Sequence, residues 1–93
     1  MLRDMDLPEE TVADLLRRLA RIEGQVRGVQ AMLQDRRECR DVVTQISAAG
    51  KALDQVGFKL LAAGMATCLT NPDEARRQGF DPDEVEKLFL KLS

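Results

Sequence analysis

Seven apolar residues, Val12, Leu15, Leu19, Ile22, Val26, Val29 and Leu33, recur at spacings of 3, 4, 3, 4, 3 and 4. An α-helix returns all of these positions to one stripe, so the spacing predicts a helix with an unbroken heptad seam through about Asp35. Pro8 in DLPEET suits the first helical turn, and Glu9 and Glu10 complement the positive end of the helix dipole. Gly24 and Gly28 lie inside this helix at a cost of about 1 kcal/mol each relative to Ala, which suggests either close approach of another helix or simple tolerance. The polar QDRRECRD reads as a short antiparallel connection. A second seam, Val42, Ile46, Ala49, Leu53, Val56, Leu60 and Ala63, predicts a helix from about Cys39–Asp41 to Leu69. TNPDEARRQGF reads as a loop, with Asn71-Pro72 as the stop. Asp81 is the expected cap of a last short helix, with Pro82 at its first position, Glu84 three residues after the cap and an apolar surface from Leu88, Phe89 and Leu90.

Two rods of about 28 residues are each about 40 Å long. One short helix cannot cover both of their seams, and pairing two hairpins into a four-helix bundle can. The expected fold is therefore all-α: a three-helix protomer, with two long antiparallel helices plus a short C-terminal helix, in a dimeric four-helix bundle. Residues 1–93 are expected to form one domain.

Apolar runs fall short of the roughly 18 residues of a membrane span, and the acidic start MLRDMDLPEE lacks a signal-peptide core. The chain reads as cytoplasmic, with no membrane partner and with thiols kept reduced. Net charge is −2, yet Leu15 to Leu60 holds nine Lys/Arg against five acids, so the centre is basic and both ends are acidic. On charge alone this fits either a solvated helix surface or a nucleic-acid contact.

There are two cysteines, Cys39 and Cys68, and no histidine. They are 29 residues apart. At 100° per residue that is about 20° past eight turns, so they share a helix face, roughly 43 Å apart. A disulfide needs Cα atoms within about 7 Å, so the two cannot meet on one straight helix. They can meet across a dimer in which the second helix pairs antiparallel with its mate about a centre near Leu53–Asp54. Gly50, Gly57 and Gly64, seven apart on the same face, would allow close approach there. The other reading is two small buried hydrophobes. Cys39 also opens a helix among Arg36, Arg37 and Arg40, a setting that makes a thiol reactive, with Glu38 and Asp41 opposing. An enzyme is not expected, since the chain has no CxxC, no imidazole base, no phosphate loop and no dense carboxylate site.

RRLARIEGQVRGVQAML, followed by CRDVVTQISAAGKAL and ATC, resembles the copper-sensitive operon repressor family, over about Leu15 to Cys68. The resemblance implies a bacterial repressor, a tetramer built from two four-helix dimers, and binding of double-stranded operator DNA without a helix-turn-helix. It puts Arg18 at a position used for operator binding. Arg17, Arg21 and Lys51 join it by charge and helical position. Copper-sensing members hold their metal with Cys, His and Cys at the positions of Cys39, Gly64 and Cys68, drawn from both chains, and a Tyr often stands where this chain has Glu38. Cys-Gly-Cys is instead similar to the branch of sulfurtransferase repressors that react with persulfides. That implies Cys39 and Cys68 as a redox-sensing pair, a persulfide or polysulfide donor as inducer, a di-, tri- or tetrasulfide bridge between chains, and no cofactor. Two thiolates also suit Cu(I), with Met65 as a conceivable third donor, so a copper sensor on the same cysteines is the alternative. A helical interaction module without DNA binding is the third reading. Nickel and cobalt members use histidines, and the formaldehyde-sensing branch depends on a proline where this chain has Leu2.

Overall fold

A computed structural model of the chain describes residues 7–77 and 81–92, with the side chains at 67–70, 72, 75 and 82 outside the description. The described residues form four helices and no strand: α1 (Glu9–Gln34), α2 (Cys39–Thr70), α3 (Pro72–Arg77) and α4 (Pro82–Leu92). α1 and α2 are the expected antiparallel hairpin, and α2 packs against each of the other helices.

α1 starts one residue after Pro8, which stands at the N-cap in an extended conformation (ψ 142°) rather than in the first turn. Its carbonyl accepts the amides of Thr11 and Val12 at 3.0 and 3.1 Å. At the other end the Arg37 amide reaches back to the Met32 carbonyl at 3.0 Å and the Arg36 amide to that of Leu33 at 3.2 Å. This is a Schellman closure, and it forces Arg36 into the left-handed region at φ 56°. A Cβ is disfavoured there, so Arg36→Gly should stabilise the chain by about 0.5–1 kcal/mol. Chemical denaturation with an unchanged m-value would read it, and a lower midpoint would contradict it.

The stretch expected to be loop after Asn71 contains α3. The Asn71 side-chain oxygen accepts the Glu74 amide at 3.2 Å, so this residue ends one helix and caps the next. Arg77 Nε donates to Glu74 at 3.0 Å and Arg76 lies 3.6 Å from Asp73, pairs that hold the single turn and a half together. α4 begins as expected, with the Asp83 amide 3.2 Å from the Asp81 carboxylate and the Val85 amide 2.9 Å from the Asp81 carbonyl.

Leu15, Ile22, Val42, Leu61 and Val85 are buried. Leu61 and Val85 join α2 to α4, with Leu7, Leu88, Phe89 and Leu92 packed around them. The Phe58 and Phe89 rings lie 5.9 Å apart across the same contact. Gly57 belongs to this contact: a Cβ on it would meet Leu92 Cδ1 at 3.0 Å. The neighbour at Gly57 is thus the chain's own α4, not the paired helix of a second chain that the glycine spacing is expected to admit. Gly24, Gly28 and Gly50 have open space where a Cβ would sit.

The two seams are only half covered. Val26 and Leu33 on α1, and Ile46 and Leu53 on α2, are each about half exposed. The radius of gyration is 16.7 Å, against roughly 12 Å for a compact chain of this length. The chain is elongated, 53 Å long and about half as wide, with apolar faces left over.

Candidate functional site

Asp14, Arg17 and Arg18 stand at i, i+3 and i+4 on α1, which brings them to one face. Arg18 Nε donates to Asp14 Oδ2 at 3.0 Å, while an Arg17 terminal nitrogen lies 3.6 Å from Oδ1. The hydrogen bond from Arg18 holds the Asp14 carboxyl below its ordinary value; desolvation works against this, and the charges of Arg18, Arg17 and Lys59 add to it. The carboxylate is thus ionised at neutral pH. The pair's modest support of the fold is present there and is lost only as pH falls through that depressed value.

Arg21 continues the face one turn on and is exposed. Lys51 is exposed on α2 and belongs further along the hairpin. The recess lined by Thr11, Asp14, Leu15, Lys59 and Ala62 sets the register between α1 and α2. In that register Lys59 stands beside Asp14, and Lys51 is about 12 Å further along α2. The basic residue that α2 adds to the Arg17–Arg18 cluster is therefore Lys59. Lys59 belongs to the basic centre, but its place beside Asp14 depends on interhelical register, which neither seam reveals. Among the described residues, Arg21 and Lys51 have no ion pair.

Cys39 is a free, exposed thiol at the first position of α2. The backbone of Cys68 lies in the last turns of the same helix, and its side chain is outside the described residues. α2 runs unbroken between them, so the separation of roughly 43 Å holds and no bridge within one chain is possible. Gly64, where a third ligand would come from, is buried and has no donor. The chain holds no imidazole, so the histidine ligands that suit nickel are missing. Two sulfur atoms brought together from two chains do fit a soft ion such as Cu(I). Met65, the conceivable third donor, is partly exposed on the single chain.

The fold and the two clusters define an all-α helical hairpin with a basic face and a cysteine near each end of its longer rod. The sequence profile described as "Metal-sensitive transcriptional repressor" matches residues 11–91, and the chain belongs to that family. It is 46% identical over 54 residues to the copper-sensing transcriptional repressor RicR of Mycobacterium tuberculosis, a match covering 58% of this chain and 56% of that protein. It is 44% identical over 54 residues to the copper-sensing transcriptional repressor CsoR of Bacillus subtilis, covering 58% and 54%. These matches thus span little more than half the length of the two relatives. Among solved structures it is similar to the copper-sensing repressor CsoR with Cu(I) from Geobacillus thermodenitrificans, at a TM-score of 0.78 and 35% identity over 98% of this chain and 97% of that one. It is also similar to the nickel-responsive transcriptional regulator InrS, at a TM-score of 0.74 and 31% identity over 94% and 98%.

Proposed function

We propose that this chain is a cytoplasmic repressor, active over 1–93 as one domain, that binds double-stranded operator DNA as a dimer paired into a tetramer. Arg18, with Arg17, Arg21 and, on α2, Lys59 beside them and Lys51 further along, provides the DNA surface, and reactive sulfur acting on Cys39 and Cys68 of different subunits releases it. The observation that carries the switch is the donor set itself: two cysteines, Gly64 where a ligand would stand, and no histidine in the chain. The half-exposed seams on both long helices support the assembly.

The chemistry balances without an external oxidant. The Cys39 sulfur attacks the outer sulfur of a persulfide RSSH, giving a Cys39 persulfide and RSH. The Cys68 sulfur of the other subunit then attacks the inner sulfur of that persulfide, forming the disulfide and expelling hydrogen sulfide. If Cys68 is persulfidated first, the two persulfides condense to a trisulfide and hydrogen sulfide. An added sulfur atom lengthens the bridge, so the thiols need not start at disulfide distance. The bridge lowers DNA affinity by being more compatible with one arrangement of the bundle than with the other.

Cu(I) sensing by the same two thiols is the second reading, favoured by the copper-sensing relatives. Bound Cu(I) would supply a two-sulfur link between subunits in place of the covalent bridge.

The DNA half of the reading is tested through Arg18. Few aromatics and no recognition helix leave phosphate contacts and groove shape to supply affinity, which should then fall steeply with salt. Arg18→Ala should weaken operator binding about tenfold and reduce the salt slope by about 1, with the oligomer intact. Unchanged affinity would remove Arg18 from the surface.

A further inference from the structure

Asp14 is an acid at one end of the proposed DNA surface, beside Arg17 and Arg18, where a bare positive field would bind phosphate more strongly. Its two oxygens are used separately, Oδ1 by Arg17 and Oδ2 by Arg18. Arg18 is engaged through Nε and keeps both terminal nitrogens for another acceptor. Arg17 is engaged through one terminal nitrogen and keeps Nε and the other. Their side chains are 35% and 69% exposed, so the unused donors can reach a ligand from solvent. Lys59 of α2 lines the same recess as Asp14, which ties the cluster to the hairpin rather than to α1 alone.

We infer that Asp14 is a positioning residue that sets DNA specificity: its carboxylate fixes the Arg18 guanidinium in one orientation, draws Arg17 towards it and offsets one of their charges, suppressing indiscriminate phosphate binding. The inference rests on the reading of Arg17 and Arg18 as DNA-binding residues. An arginine anchored at one edge presents its remaining donors along a defined direction, so it matches one spacing of phosphates better than others. A free arginine matches many spacings about equally. The carboxylate therefore costs non-specific affinity and favours the backbone geometry of the correct site.

The test uses the full chain, a duplex enriched from a random pool by the wild-type protein, and a scrambled duplex of the same composition, each titrated over a range of salt. Asp14→Asn keeps the size of the side chain and removes its charge. It should tighten binding to the scrambled duplex and steepen that salt slope by about 1. Binding to the enriched duplex should not tighten, so the ratio of the two affinities falls about tenfold, the worth of one oriented charged contact. Asp14→Glu, which can still reach both arginines, should recover most of the ratio. A shift of equal size on both duplexes, or no shift on either, overturns the inference and leaves an ordinary surface ion pair. If Arg18→Ala binds the enriched duplex as wild type does, the DNA surface itself has been misplaced and the inference falls with it.

Discussion

Leu53→Lys is expected to leave the protein monomeric at micromolar concentration and to remove its DNA affinity. Leu53 sits near the centre of α2, 51% exposed on the single chain, with Ile46 exposed to the same extent two turns earlier on the seam. A two-fold axis near Leu53–Asp54 would bury this residue twice in each dimer. Only the exposed half of each leucine remains to be buried, so losing two such burials of about 1 kcal/mol each is about 2 kcal/mol, roughly thirtyfold in the dimer constant, before the desolvation and repulsion of two facing ammonium groups are added. DNA binding falls with assembly, because one hairpin presents only part of the basic surface. Sedimentation would read the mass and circular dichroism the remaining helix. A variant that keeps the wild-type oligomer would place the interface on another face.

The helices were legible because their signals are local. The 3,4 spacing from Val12 to Leu33 foretold α1, which ends at Gln34, and the second seam foretold α2, which ends at Thr70. Asp81-Pro82-Asp83-Glu84 carries the pattern of a helix start, and α4 begins there. Asn71-Pro72-Asp73-Glu74 has nearly the same pattern, but the strong helix ending at it makes the stop the dominant signal and hides the cap that starts α3. What local pattern cannot reveal is which helix faces which. The heptad glycines promised close approach, but only packing decides that Leu92 of α4 reaches Gly57. Register likewise decides that Lys59, rather than Lys51, stands beside Asp14. The two cysteines stand in the first and last turns of one unbroken helix, and a shared face follows from 3.6 residues per turn. Their partnership across chains rests on symmetry, which no single chain contains.

The second large effect is loss of the response in cysteine variants. Cys39→Ser removes the exposed thiol that is proposed to take sulfur first, and Cys68→Ser removes the thiol that closes the bridge. Serine is close in size at both places, so the fold and the operator complex should survive while the switch does not. Each variant should fail to form crosslinked dimers on denaturing, non-reducing gels, and Cys39→Ser should stay on its operator in the presence of a persulfide. The decisive measurement is the intact mass of wild-type protein after an organic persulfide, taken with operator binding on the same samples and beside a Cu(I) titration against a competing chelator. The account predicts a covalent dimer, bridged by two or three sulfur atoms, that appears as DNA affinity is lost. Protein that gains no crosslink and no sulfur, yet leaves DNA on binding one Cu(I) per subunit at competitive affinity, would contradict it and make this chain a copper sensor.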